Sequence, residues 1–150
     1  MDVKASLLSS IEEVLDKMAF MFFDETEPDE IDIDDFAYIT EVSINGVISG
    51  VLNILVTEST ARNIARNLIG IRDEDELYDD TLKDAMQEFT NLLSGRTMTI
   101  INPAGPFDME IPKLVEHAAP PRNGHTTLTI NGALDDEPFR IVLQYRETPN

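Results

Sequence analysis

The feature that most constrains the fold is the dipeptide Asn45-Gly46, which lies between two segments with the composition of β-strands. Asn and Gly tolerate positive φ angles, so this pair favours a two-residue type I′ turn. Residues 36–44 before it and residues 47–57 after it are rich in β-branched and aromatic side chains, as strands are. The sequence therefore predicts an antiparallel hairpin. Its second strand is apolar on both faces and is expected in the middle of a sheet.

The rest of the chain alternates between helical and strand patterns. These patterns predict helices over 5–23, 58–70 and 74–100, short strands within 107–119, and a last hairpin of 126–131 and 138–146. The order is α-β-β-α-α-β-β-β. Strands grouped in hairpins indicate an α+β fold, an α/β sandwich in which helices pack on a mixed, mostly antiparallel sheet. Since there is no internal repeat and no long linker, residues 1–150 are expected to form a single domain.

Acidic residues dominate the charge, and the formal net charge at pH 7 is −18. Nucleic acids and anionic membranes are bound through clustered Lys and Arg, whereas the Arg residues here are scattered, so neither partner is expected. The absence of Cys excludes disulfides and thiolate chemistry. The chain has no apolar run long enough to span a bilayer and no secretory signal at its start, so a cytoplasmic location is expected.

The acidic segment 24–35 and the two histidines are the candidates for metal binding. A calcium-binding EF-hand loop needs a Gly at its sixth position, and no Gly precedes Gly46, so a solvated connector is expected. A looser metal-binding role for this segment stays open, and calorimetry with Ca²⁺ would test it. His117 and His125 have no further ligands at regular spacing, so we expect surface or structural histidines and no metal site. No Gly-rich phosphate loop is present, so no nucleotide cofactor is expected.

The helix over 74–100 carries the most informative pattern, in the segment DAMQEFTNLLSGR at residues 84–96. Each residue of a helix advances about 100°, and this rotation gathers polar or small residues on one stripe: Asp84, Glu88, Asn91 and Gly95. The apolar stripe lies about 130° away and holds Ala85, Met86, Phe89, Leu92 and Leu93. Gly costs about 1 kcal/mol relative to Ala inside a helix. Its place on the polar stripe indicates a point where a partner can approach closely.

Glu88 and Asn91 suit a reaction at a phosphoryl group. The amide of Asn offers two donors and one acceptor without charge, so Asn91 can hold a water near an anionic phosphoryl group without repelling that group. Phosphoryl transfer depends mainly on positioning and charge stabilisation. If the substrate protein supplies the metal and a Lys, a phosphatase need only dock and orient water, and Glu88 can pair with that Lys. Such a stripe also occurs on plain solvated helices, so the pattern alone leaves both interpretations open.

The spacing D-x-x-x-E-x-x-N, formed by Asp84, Glu88 and Asn91, resembles the signature of the CheC–CheX–FliY family of chemotaxis phosphatases. The following residues LLSGR are similar to the small, Gly-containing continuation in that family. The family also places a Pro a little more than 20 residues after the Asn, and here Pro112 stands 21 residues after Asn91. CheC-like members repeat the motif in the first helix, but residues 12–16 (EEVLD) contain no Asn. The chain therefore resembles the single-motif CheX type.

The resemblance implies a protein aspartyl-phosphate phosphatase that dephosphorylates a CheY-like response regulator. Glu88 and Asn91 would be its catalytic pair, and Asp84 and Gly95 would bind the partner. The resemblance implies no cofactor of the chain's own, with Mg²⁺ held by the response regulator, and a homodimer formed through sheet edges. The alternative is a non-catalytic adaptor that binds a receiver domain, a chemotaxis deamidase or a flagellar switch protein. Asn91→Ala separates the two, because only an enzyme would lose turnover.

Overall fold

The computed structural model describes residues 1–27 and 31–149, and its strands form one seven-stranded sheet. The strands are β1 (Phe23–Glu25), β2 (Tyr38–Asn45), β3 (Ile48–Val56), β4 (Asp108–Met109), β5 (Lys113–Val115), β6 (Thr126–Leu134) and β7 (Glu137–Glu147). Their order is β1-β6-β7-β3-β2-β4, and β5 also pairs with β2. Every pair among the described residues is antiparallel. The predicted α+β fold is therefore confirmed.

Three α-helices accompany the sheet: α1 (Val3–Glu12), α2 (Glu58–Ile64) and α3 (Asp79–Ile101). α1 continues as a π-helical segment over Glu13–Met18, and α2 continues as one over Ala65–Ile69. Short 3₁₀ turns precede β2 and α3. In the part of the chain that the structure describes, no helix combines the length and the apolar character that a bilayer-spanning segment needs.

The core lies between the helices and one face of the sheet. On β3 it includes Leu52, Ile54 and Val56 but not the intervening Leu55, because successive strand side chains point to opposite faces. The helices contribute Leu7 and Ile11 from α1, Ile64 from α2, and Met86 and Phe89 from α3. Full burial of an apolar side chain of this size stabilises the fold by about 1.5–3 kcal/mol, so this layer holds the helices on the sheet.

The segment after β5 covers the opposite face of the sheet at β3 and β7. The amide of Ala119 donates to Asn53 Oδ1 at 3.0 Å. The side-chain amide of Gln144 donates to the carbonyls of Ala119 and Pro120 at 2.6 and 2.8 Å. Asn53 and Gln144 are buried, and buried polar groups need such partners. β3 is therefore central and buried on both faces, as predicted.

The hairpin predicted at Asn45-Gly46 is present, but the predicted type I′ turn is wrong. β2 and β3 pair up to Asn45, and neither Asn45 nor Gly46 has a positive φ. Gly46 is needed for space instead, because a Cβ there would lie 2.9 Å from Met98 Cε and from Phe107 Cβ. Two successive positive φ angles, as a type I′ turn requires, occur between β6 and β7 at the aspartates 135–136, at 47° and 69°.

The first helix ends earlier than predicted, and the residues after it form an edge strand. The helical region stops at Met18, Phe20 has a φ of 54°, and β1 begins at Phe23 beside β6. The Phe23 ring packs edge-on against Phe139 with 5.8 Å between the centroids. This contact joins distant parts of the chain, so the local periodicity of the first helix could not indicate it.

Two acidic stretches also differ from the prediction. The connector 24–35 begins inside β1, its end forms a 3₁₀ turn at Ile33–Asp35, and residues 28–30 lie outside the described residues. The helix predicted to start at residue 74 starts at Asp79, because Glu74–Glu76 forms a separate 3₁₀ turn. The charges of the first turn of α3 are therefore two aspartates, which favour the positive end of the helix dipole.

Helix α3 is fixed to the sheet by buried contacts at its middle. The Phe89 ring meets Phe139 of β7 edge-on, with 6.5 Å between the centroids. Next to it, Thr90 Oγ1 lies 2.6 Å from Thr40 Oγ1 of β2. Thr90 Oγ1 also donates to the carbonyl of Met86 at 2.7 Å, so Thr40 is the donor within the hydroxyl pair. These contacts set the rotation of α3 about its own axis.

Two further polar contacts fix α3 to the N-terminal helical region. Thr97 Oγ1 donates to Ser10 Oγ of α1 at 2.9 Å, and both groups are buried. Arg96 Nε donates to Glu13 Oε2 at 2.6 Å on the surface. Each hydroxyl also bonds to a carbonyl of its own helix, Thr97 to Leu93 at 2.8 Å and Ser10 to Ser6 at 3.1 Å, so the buried pair joins the two helices by a contact additional to these intrahelical bonds. Helix α3 is thus anchored at two positions along its length, Thr90 and Thr97.

We predict that Thr90→Val lowers the free energy of unfolding by about 1–2 kcal/mol, because the buried hydroxyl of Thr40 would lose its acceptor. Urea unfolding followed by circular dichroism measures this difference. The control is the double variant Thr40→Val/Thr90→Val, in which no hydroxyl is left unpaired, and it should be no less stable than Thr90→Val. A single variant as stable as the wild type would contradict the prediction.

Candidate active site

The outward face of α3 carries the residues predicted for the site: Asp84, Glu88, Asn91 and Gly95. The first three are exposed and Gly95 is half-buried. The opposite face buries Ala85, Met86, Phe89 and Leu93, while Leu92 is half-buried. The predicted division of this helix into two stripes is confirmed. We call the four outward residues the α3 ridge.

The charged and amide groups of the α3 ridge have no structural partner among the residues that the structure describes. Within residues 1–27 and 31–149, the side chains of Asp84, Glu88 and Asn91 form no hydrogen bond or ion pair with another residue. Other polar residues of the same helix are paired, as Asp79 is with Lys83 at 3.0 Å. Glu88 and Asn91 stand three residues apart, so their Cβ atoms are about 5–6 Å from each other. At this separation, the side chains of Glu88 and Asn91 can contact the same group of a binding partner.

A groove of about 400 Å³ lies on one side of the α3 ridge, and we call it the loop groove. It is lined by Asp84, Gln87, Glu88 and Asn91 of α3, by Met109 at the end of β4, and by residues 110–112 between β4 and β5. The side-chain amide of Gln87 donates to the carbonyl of Pro112 at 2.8 Å. Asn91 and Pro112, which the sequence resemblance linked by their spacing, therefore line the same groove.

A second groove of about 650 Å³ lies on the other side, and we call it the helix groove. It is bounded by the ridge residues Asp84 and Glu88 and by apolar residues that follow α2, among them Ile69 and Ile71. Gly70 lies between these two with a φ of 85°, a conformation that glycine adopts without strain. The ridge thus stands between two depressions and is accessible from both sides.

A hydrogen bond holds the first turn of α3 against β2. Tyr38 Oη donates to Asp79 Oδ1 at 2.7 Å. Burial, together with this bond, raises the pKa of Tyr38 to about 12, and the bond from Tyr38 lowers the pKa of the Asp79 carboxyl. Because the Tyr38 pKa is higher in the folded state, its contribution to stability is complete below pH 10 and is lost as the pH rises toward 12.

No close neighbour in the described part of the chain requires residue 95 to be a glycine. A Cβ at this position would meet only Met109 Cε, at 3.6 Å, which is ordinary van der Waals contact with the end of a flexible side chain. At Gly46, in contrast, a Cβ would come within 2.9 Å of two neighbours. Gly inside a helix costs stability, and no contact in the described part of the chain requires a glycine at this position.

The α3 ridge can position a water molecule and a cation, and it exposes no hydroxyl or thiol group. The amide of Asn91 can donate and accept at the same time, and the carboxylate of Glu88 can accept from an ammonium group. Ser94 is buried below the ridge and is not accessible from outside. In the described part of the chain, no group of three or more His, Asp or Glu side chains is arranged to hold a metal ion.

Three residues near the ridge were not predicted from the sequence to belong to the site. Gln87 fixes the loop between β4 and β5, and Ile111 and Ile69 are exposed at the loop groove and the helix groove. The run MEIPKLV contained one signal for Ile111, since an apolar residue directly before Pro is held in an extended conformation. Ile69 carried none, because it fits the apolar pattern of α2.

A family model shows the family of this chain, and solved structures show the same fold. The sequence matches the family described as chemotaxis phosphatase CheX over residues 38–130. The fold is similar to the crystal structure of CheX from Vibrio vulnificus (TM-score 0.76, 20% identity, 97% of each chain covered). It is also similar to a chemotaxis protein CheX from Desulfovibrio desulfuricans (TM-score 0.73, 18% identity, 97% of this chain and 100% of that chain covered).

A third structure shows a relative with a partner. It is the CheX–CheY–BeF₃–Mg²⁺ complex from Borrelia burgdorferi (TM-score 0.71, 19% identity, 97% of this chain and 99% of that chain covered). A search of curated protein sequences finds no match. The family match covers more than half of the chain, including all of the α3 ridge and Pro112. The chain therefore belongs to the CheX family of chemotaxis phosphatases.

Proposed function

We propose that this protein hydrolyses the aspartyl phosphate of a CheY-like response regulator in the cytoplasm. A water molecule attacks the phosphorus atom, the bond between phosphorus and the aspartyl oxygen breaks, and the products are the free carboxylate and inorganic phosphate. The leaving carboxylate takes the electron pair, and the protons of the water pass to phosphate and solvent. Mg²⁺ belongs to the response regulator in this proposal.

Each of the four ridge residues has one role in this proposal. Asn91 orients the attacking water, since its uncharged amide does not repel the phosphoryl oxygens. Glu88 pairs with the active-site Lys of the receiver and sets the register of docking. Asp84 and Gly95 contact the receiver at the two ends of the ridge. Positioning of this kind is the main requirement of phosphoryl transfer, so the chain needs no nucleophile of its own.

The observation that carries the proposal is the position of Glu88 and Asn91. They are exposed, lie one turn apart on a helix with fixed rotation, and have no partner among the described residues. Membership in the CheX family and the fold shared with a CheX that was crystallised with CheY, BeF₃ and Mg²⁺ support the same partner. The non-catalytic adaptor remains the second candidate, because the same ridge could bind a receiver without hydrolysis.

We also propose that the protein is a homodimer formed through a sheet edge. β1 is the outermost strand and pairs only with β6 among the described residues, and exposed Phe20 and Phe22 precede it. An open edge next to apolar side chains favours pairing with a second chain. Light scattering should give a mass of about twice 16.8 kDa, and Phe22→Ser should shift the equilibrium toward the monomer. A monomeric wild type at micromolar concentration would refute this proposal.

We predict that Asn91→Ala lowers the turnover of receiver dephosphorylation by about 10²-fold or more. The variant should keep its affinity for a receiver activated with Mg²⁺ and beryllofluoride, because the amide acts on the water. Loss of phosphate from a ³²P-labelled CheY-like receiver measures turnover. Asn123→Ala is the matched control, since Asn123 is also exposed but lies outside the ridge.

The same assay separates the enzyme from the adaptor. An adaptor would bind the activated receiver and leave its rate of phosphate loss unchanged, with or without Asn91. Binding without acceleration, across all CheY-like receivers of the source genome, would therefore replace the phosphatase by the adaptor. Acceleration that survives in Asn91→Ala would move the catalytic role to another residue.

We predict that Gly95→Ala has opposite effects on folding and on binding. The free energy of unfolding should rise by about 0.5–1 kcal/mol, since Ala is the better helix residue and the added methyl meets no obstacle. Affinity for the activated receiver should fall, because the methyl group enters the contact surface. Urea unfolding and a binding titration measure the two effects. Unchanged affinity would place Gly95 outside the contact.

A further inference from the structure

Two exposed isoleucines lie on opposite sides of the α3 ridge. Ile111 lines the loop groove and exposes 86% of its surface. Ile69 lines the helix groove and exposes 45%. Both grooves also include Asp84 and Glu88, so each isoleucine adjoins the ridge directly. Single exposed apolar residues are common on proteins, but two that flank one candidate site call for a physical explanation.

Ile111 is presented by a loop that is fixed on both sides of it. The amide of Glu110 donates to the carbonyl of Ser43 in β2 at 3.0 Å. Gln87 donates to the carbonyl of Pro112 at 2.8 Å, and Pro112 itself is buried. The backbone around Ile111 is thus held while its side chain stays in water. A partner that covers this side chain would lose little entropy from ordering the loop.

Ile69 is held in a similar way at the end of the region that follows α2. The chain reverses directly after it at Gly70. Beyond the reversal, Glu74 forms ion pairs with Arg66 and, at 3.6 Å, with Arg62. These pairs tie the returning segment to α2, although exposed ion pairs contribute little energy individually. Both isoleucines are therefore preorganised contact points on fixed backbone.

The charges of this surface show why apolar contacts are needed. The residues that line the two grooves include three carboxylates, from Asp84, Glu88 and Glu110, and no Lys or Arg. A phosphorylated aspartate carries negative charge, so the phosphoryl group does not attract these carboxylates, and only the Lys and Mg²⁺ proposed for the receiver can. Burial of apolar surface acts without regard to charge. Apolar side chains near the ridge can therefore supply affinity that the phosphoryl group does not.

We propose that Ile111 and Ile69 are the docking residues of the site, which seat a CheY-like receiver on the α3 ridge. The inference rests on the proposed function for the identity of the partner. Each isoleucine is covered by an apolar side chain beside the phosphorylation site of the receiver. They determine affinity and the choice among receivers, whereas Glu88 and Asn91 act on the reacting group. Truncation of either isoleucine therefore changes KM and not kcat.

The test compares three substitutions of exposed isoleucines: Ile111→Ser, Ile69→Ser and, as a control, Ile33→Ser. Ile33 exposes 60% of its surface and lines neither groove. The probe is a CheY-like receiver activated with Mg²⁺ and beryllofluoride, titrated by fluorescence or calorimetry. Kd should rise about tenfold for Ile111→Ser and less for the more buried Ile69→Ser. Ile33→Ser should bind like the wild type, and urea unfolding should show all three folded.

Kinetics with the phosphorylated receiver give the second readout. For Ile111→Ser, KM should rise with Kd while kcat stays within about twofold of the wild type. Kd values for Ile111→Ser and Ile69→Ser equal to that of Ile33→Ser would overturn the inference, and so would an unchanged KM with a lower kcat. If the wild type binds but does not hydrolyse, the proposed reaction fails while the Kd comparison still decides the docking role. A wild type that binds no receiver would overturn both.

Discussion

The orientation of the candidate site depends on the buried hydrogen bond between Thr90 and Thr40. Together with the Phe89–Phe139 contact, it fixes the rotation of α3 against β2 and β7. A helix turned by one residue would move about 100° and would bury the ridge or expose the core. Because Asn91 directly follows Thr90 in the sequence, the group proposed to orient water is adjacent to the group that anchors the helix.

Those parts of the fold that a local sequence pattern determines could be predicted. The stripes of α3 follow from periodicity alone, and the central place of β3 follows from its apolar composition. The errors occur where distant residues decide. Phe23 leaves the helical pattern because it packs on Phe139, and Gly46 serves the space beside Met98 and Phe107, not a positive φ. No window of sequence contains such contacts.

The residues of the candidate site also include some that the sequence could predict and some that it could not. Glu88 and Asn91 could be found from the sequence, because one helix turn places both on one face. Ile69 and Ile111 could not, since α2 and the loop between β4 and β5 meet the ridge only in the folded chain. Ile69 has no local signature of exposure, and the only local signal for Ile111 is the Pro that follows it. The docking role of each isoleucine is inferred from the fixed backbone that carries it and from the carboxylates that surround it.

The open space above Gly95 has a consequence for the history of this family. At this position the folding equilibrium favours alanine, whereas the proposed contact with a receiver favours glycine. A lineage that kept its receiver would retain glycine by selection, while a lineage that lost the receiver would drift toward alanine or larger residues at no structural cost. The identity of this one residue in related genomes would therefore record which lineages still have their partner.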